Sequence, residues 1–184
     1  MRIIAGEAGG RNLASPPGQE IRPTPERARE ALFSTLGNIT DAVVADGFAG
    51  TGALGCEALS RGARLCYFID DDPTAIELIE ENLERIGAED RGIILEGDVE
   101  SSLPLIYDDP DLWLLDPPYD EGVGVPTLEA MVASPVVTED ALIVFEQGTR
   151  EEIPEIAGLR QEDVREYGKT RLVYFRRVED DSSE

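Results

Sequence analysis

Hydrophobic and polar positions along this chain follow two periods. Apolar runs at residues 42–47, 65–70, 92–95, 112–116 and 141–146 are short and bounded by polar or glycine-bearing stretches, the pattern of strands buried on both faces. Ile76, Ile79, Leu83 and Ile86 instead recur at helical spacing, and Asp72 and Pro73 stand where a helix takes its cap and first residue. A second helical stripe, Ala28, Ala31, Leu32 and Leu36, predicts a helix over 26–36 with Thr24 as N-cap and Pro25 in its first position. Strands alternating with helices predict an α/β domain with a mostly parallel sheet covered on both faces. The ends differ. Residues 2–5 and 11–13 flank Gly6, Gly9 and Gly10 and predict a small N-terminal β-hairpin, while 159–167 and 170–177 around Gly168 predict a C-terminal antiparallel hairpin. One domain is expected over 1–184: an N-terminal extension (1–24), a core (25–178) and an acidic tail (179–184).

Composition narrows the classes. No apolar run approaches the roughly 20 residues of a membrane span, and no basic-then-apolar leader precedes the first strand, so a cytoplasmic protein is expected. Cys56 and Cys66 are too few for a disulfide framework, and without histidine a transition-metal site is not expected. Acidic residues number 39 against 16 basic, a formal net charge of −23. Lys169 is the only lysine, so the imbalance reflects lysine depletion as well as acidic enrichment. This pattern resembles adaptation to molar salt, where a Debye length of about 3 Å screens self-repulsion and the repulsion of a polyanion. The first 40 residues hold five arginines, four glutamates and no aspartate, and are near neutral; a nucleic acid would find its least hostile surface there.

Two motifs carry chemistry. Residues 46–55 run from the end of the first strand into a helix, and Gly50, Gly52 and Gly55 spell the G-x-G-x-x-G of a loop that lets backbone approach a nucleotide. Asp70, at the end of the second strand about 20 residues later, suits the two hydroxyls of an adenosine ribose. The loop alone fits a dinucleotide equally well. Asp46 ahead of it suits the cationic amino group of a methionine moiety, and Asp98 after the third strand suits the adenine amine, so S-adenosylmethionine is the expected cofactor. Phe48 lies within the loop as a further cofactor contact.

The second motif is Asp116, Pro117, Pro118, Tyr119 at the end of the fourth strand. Two prolines stiffen the turn and remove two donors, leaving carbonyls to face outward. An exocyclic base amine is a poor nucleophile because its lone pair is delocalised into the ring. If the Asp116 carboxylate and the Pro117 carbonyl accept its hydrogens, the lone pair becomes available for methyl transfer. Tyr119 is placed to stack on the base, worth about 1 to 3 kcal/mol. This chemistry leaves guanine or adenine, RNA or DNA, and a non-catalytic RNA-binding factor open.

Further segments resolve the choice by likeness. Arg2 to Gly6 with Gly10 and Arg11; Arg22, Pro23 and Thr24 with Arg29 and Glu30; Phe48 to Gly55; Glu57 to Ala63; Asn82; and Asp116 to Tyr119 together resemble the RsmD family, bacterial methyltransferases acting on N2 of a guanine in 16S ribosomal RNA. The resemblance implies a Rossmann-like class I methyltransferase with a seven-stranded sheet, acting as a monomer on 16S rRNA within a small-subunit ribosomal particle. It also implies RNA contact through Arg2, Arg11, Arg22, Thr24 and Arg29; a structural role for Arg22 and Arg29, pairing with Glu30 or capping carbonyls, stays open. Gly47 departs from a common leucine, Asp70 from a usual glutamate, and Glu7 and Ala8 stand where basic or bulky residues are usual.

Overall fold

The computed structural model describes residues 1–16, 23–118 and 121–178, with backbone alone for 23–25. Among these, five helices and seven strands follow in the order α1 (Pro23–Leu36), β1 (Val43–Gly47), α2 (Ala53–Ser60), β2 (Leu65–Asp70), α3 (Pro73–Ile86), β3 (Gly92–Glu96), α4 (Val99–Ser102), β4 (Leu112–Leu115), α5 (Gly124–Ala133), β5 (Leu142–Gly148), β6 (Leu159–Tyr167) and β7 (Thr170–Arg177). They form one sheet in the order β3-β2-β1-β4-β5-β7-β6. The first five strands are parallel and the terminal hairpin adds antiparallel to β5, as expected.

Side-chain alternation sorts the core into two layers. Val44, Cys66, Phe68, Leu114, Val144 and Tyr174 meet Leu32, Phe33, Leu59 and Ile79 of α1, α2 and α3 on one face. Ala45, Tyr67, Ile69, Trp113, Leu115 and Phe145 meet Val99, Leu128 and Met131 of α4 and α5 on the other. Every residue of β1 and β4 is buried, so these central strands read as unbroken apolar runs. The strand order reverses between β1 and β4, and open α/β sheets bind ligands at the carboxyl ends around such a reversal.

Two local expectations are corrected. Helix α1 begins at Pro23, so Thr24 and Pro25 lie inside its first turn; proline is tolerated there because its missing N–H would have had no helical partner. The N-terminal hairpin is reduced to a single antiparallel bridge between Arg2 and Asn12, supported by Ile3 N–H to Arg11 carbonyl and Gly10 N–H to Ile3 carbonyl bonds of 2.9 Å. The turn between its arms is anchored on α2. Ser60 Oγ donates to the Ala5 carbonyl (2.6 Å) and accepts from the Ala8 amide (3.0 Å), while its carbonyl accepts from Glu7 (2.8 Å). Asp72 caps α3 as expected, accepting the Thr74 amide at 2.8 Å. The tail (179–184) lies outside the described residues.

Candidate active site

The loop after β1 is built around backbone that few residues adopt. Phe48 and Gly50 take positive φ, 60° and 56°. Phenylalanine pays for that conformation in strain, a feature concentrated at ligand-binding turns. Gly55 serves closeness: a Cβ there would sit 2.3 Å from the Phe68 ring, so only glycine lets α2 lie this near the sheet.

Carboxylates hold the loop in shape. Asp70 accepts the Gly50 amide on one oxygen (2.7 Å) and the Asp72 amide on the other (3.0 Å). Each oxygen keeps a further lone pair, enough for two ribose hydroxyls. Asp46 is buried and accepts the Gly55 amide at 2.8 Å. Burial pushes its carboxyl well above the usual range, and the charges of Asp116 and Asp70 add to that. Asn82, also buried, donates to the Thr51 carbonyl (2.8 Å) and binds both backbone groups of Ala14, tying loop, α3 and N-terminal segment together. Asp98 is exposed and caps α4, accepting the Ser101 amide at 2.7 Å; that bond holds its carboxyl below the usual range.

Two clefts open at this end of the sheet. One, about 680 Å³, is walled by Phe48, Ile69, Asp70, Asp98, Val99 and Pro117. The other, about 730 Å³, lies between α1 and the strand ends, against Ala28, Leu32, Glu146 and Lys169, and runs along the glycine loop at Asp46, Gly50 and Thr51. Phe48 and Asp116 line both. Both volumes fall in the range of small-molecule sites. The first has the donor set of a cationic nucleoside: apolar walls with Asp70 and Asp98 along one side. Its acidity, and the engagement of the Gly50 amide by Asp70, disfavour a pyrophosphate.

Asp116 follows β4, its amide donating to the Gly47 carbonyl at 3.4 Å. Its carboxyl is open to the clefts yet crowded by protein, and desolvation together with the charge of Glu146 pushes it up to about 7. Pro117 is buried behind it. Tyr119 lies outside the described residues.

The expected RNA contacts divide. Arg2 and Arg11 are exposed; Arg2 pairs with Glu26 at 2.9 Å and Arg11 donates to the Arg85 carbonyl at 3.0 Å. Arg29 is instead 5% exposed, donating to the Arg2 carbonyl and lying 3.8 Å from Glu57. It braces the N-terminal segment and is not a surface contact. Arg22 lies outside the described residues, as does the Thr24 side chain. Glu146 and Lys169 were not singled out from the sequence, although a carboxylate ending a parallel strand was the signal that identified Asp70.

Known proteins are similar to this chain over most of its length. A family model described as conserved hypothetical protein 95 matches residues 1–176. YlbH of Bacillus subtilis, named as a candidate rRNA methyltransferase, is 32% identical over 182 residues, covering 96% of this chain and 99% of the relative. Ribosomal RNA small subunit methyltransferase D of Escherichia coli K12 is 32% identical over 157 residues, 85% of this chain and 79% of its own. Among solved structures, yhhF of Escherichia coli, described as a candidate methyltransferase, superimposes with a TM-score of 0.84 at 31% identity, covering 96% of this chain and 97% of that one. The fold, the family match across nearly the whole chain and these relatives agree with the resemblance read from the motifs: the chain belongs to the RsmD family, that of ribosomal RNA small subunit methyltransferase D.

Proposed function

We propose that this protein transfers the methyl group of S-adenosylmethionine to the exocyclic N2 amine of a guanine in 16S ribosomal RNA, presented within a small-subunit ribosomal particle. The observation that carries this reading is the position of Asp116 on the border of two clefts, one lined by Asp70 and Asp98 and the other running from the glycine loop to Glu146 and α1. Bound S-adenosylmethionine supplies an electrophilic methyl group on a positively charged sulfur.

The chain's residues supply the rest. Asp70 receives the ribose hydroxyls, Asp98 the adenine amine, and Phe48, Ile69 and Val99 the apolar surfaces. Asp46, under the loop and on the lining of the second cleft, accepts from the amino group of the methionine moiety, and Gly50 and Gly52 keep the backbone close. Where the two clefts meet, the Asp116 carboxylate and the Pro117 carbonyl accept the two hydrogens of the target amine, and Tyr119 stacks on the ring. A carboxyl pushed up to about 7 is also matched to taking the proton that the amine releases once methylated. The base must leave its stack to reach this cleft, by flipping or from a loop. Arg2 and Arg11, with Arg22 and Thr24 near the start of α1, offer the polyanion its contacts. Molar salt is the proposed medium, because it screens the −23 body.

The reading is tested by incubating the protein at high salt with S-adenosylmethionine and small-subunit particles, then identifying the modified nucleoside. N2-methylguanosine is expected. Methyl found on adenine alone would overturn the guanine assignment.

A further inference from the structure

The cleft against α1 contains a second carboxylate that this chemistry does not use. Leu115 pairs with Phe145 across the parallel strands β4 and β5, so the next residues stand side by side: Asp116 just past the end of β4, and Glu146 still within β5 and paired with Leu172 of β7. Alternation along the strands puts both on the face of Leu114 and Val144, toward α1. Glu146 lines the cleft against α1 but not the one lined by Asp70 and Asp98. The other titratable and charged groups lining that cleft are Asp46, Asp72, Arg29 and Lys169.

Each carboxylate carries several lone pairs, so two of them side by side on one small cleft can accept from a ligand that brings a donor to each. The Watson–Crick edge of guanine does this: its N2 amine is flanked by a ring N1–H. Adenine and cytosine set an unprotonated ring nitrogen beside their amines, and that lone pair would face a carboxylate without a proton between them. We infer that Glu146 selects guanine, its carboxylate accepting the N1–H while Asp116 and Pro117 accept the hydrogens on N2. This rests on the proposed N2 methylation and adds to it the residue that reads the ring.

The test uses reconstituted small-subunit particles carrying either guanine or 2-aminopurine at the methylated position. 2-Aminopurine keeps the amine but has no proton on N1. The parent protein is expected to methylate guanine at least about tenfold faster, since a site built to bond a donor rejects an analogue lacking it. Glu146→Gln offers a donor to the bare N1 as well as an acceptor, and should bring the ratio to within about threefold of unity. Its affinity for S-adenosylmethionine, measured by calorimetry, should match the parent's. Equal rates on the two bases in the parent protein overturn the assignment, as does a Gln variant with parental cofactor affinity and an unchanged ratio. If Glu146→Gln fails to fold, the ratio is read in Glu146→Ala, which removes the acceptor and should also lower it. Absence of methyl on guanine in the parent overturns the N2 reading itself, and needs no variant to detect.

Discussion

One oxygen of Asp70 holds the Gly50 amide at 2.7 Å, so the acid at the end of β2 and the glycine loop after β1 form a single unit before any ligand arrives. The same carboxylate restrains the turn into α3 through the Asp72 amide. On the proposed reading, a residue in this position orients the loop as well as contacting the ribose of the cofactor.

Asp70→Ala should therefore weaken S-adenosylmethionine binding by more than loss of a ribose contact alone. Hydrogen bonds to charged groups contribute about 1.5 to 3 kcal/mol, so an increase in Kd of at least about tenfold is expected by calorimetry. Asp70→Asn keeps an acceptor for one amide and should fall between. Parental affinity in the Ala variant would show that the loop holds its shape without Asp70.

Asp116 sets the acid limb of the rate profile. The proposed methyl transfer uses its carboxylate form, and burial with the charge of Glu146 pushes its carboxyl up to about 7, so kcat/KM should rise as pH increases through 7 and level off above. Replacing Glu146 by Gln removes a negative charge beside it and should move that limb to lower pH. A limb unmoved by Glu146→Gln would mean that burial alone raises Asp116.

Stability should respond in the opposite sense. A carboxyl raised by folding favours the folded state while protonated; this contribution is full below the unfolded value near 3.8 and is lost as pH rises through about 7. Asp116→Asn should abolish activity yet raise Tm at pH 8. Because the group is open to solvent, screening reduces the gain to about 1 kcal/mol, a few degrees for a chain of this size. The gain should shrink as pH falls toward 4. A lowered Tm at pH 8 would count against an unfavourable charge at this site.

Glu57 is the junction of the N-terminal segment with the core. It is fully buried and accepts from the Ile4 amide (2.8 Å), the Ala5 amide (3.1 Å) and Arg61 Nε (2.7 Å), with Arg29 3.8 Å away. Breaking a buried ion pair leaves the remaining charges without compensation and costs about 3 to 5 kcal/mol. Glu57→Ala should lower Tm by at least about 5 °C and expose the peptide bonds near Ile4 to limited proteolysis. Unchanged protection of residues 1–13 would remove this junction role.

Much of this architecture was legible in the sequence because it rests on local signals. Buried parallel strands write themselves as apolar runs, and Asp72 and Pro73 mark a helix start by their own chemistry, which is why β2 and α3 begin where expected. What escaped depends on distant partners. Nothing beside Arg29 in the chain shows that Glu57, on another helix, will draw it inside. The N-terminal segments pair as their spacing allows, through Ile3 with Arg11 and Leu13 with Met1, but the turn between them is held by Ser60 and Glu57, partners that nothing near it in the chain reveals. Helix α5 was unmarked between the strands it joins, its first turn containing Gly124 and Pro126. Glu146 was readable by the rule that found Asp70, but its importance comes from the register that sets it beside Asp116.

Salt should govern both folding and substrate binding. At about 0.1 M salt the Debye length is about 10 Å, so the charges behind a net −23 act on one another across the surface, whereas at about 1 M it is about 3 Å and only near neighbours interact. The ion pairs at the surface, such as Arg85 with Glu81 and Arg160 with Glu162, are weakened by the same screening, but exposed pairs each contribute about 1 kcal/mol or less. Relief of the net repulsion should win. Tm is expected to rise steadily with potassium chloride from about 0.1 to 2 M. Binding of RNA should also strengthen over the lower part of that range, opposite to the salt dependence of a basic protein, before screening of the arginine contacts reverses it. Thermal unfolding and filter binding across the same salt series decide this. A Tm that falls over the whole range would show that local ion pairs, and not the net charge, dominate the surface.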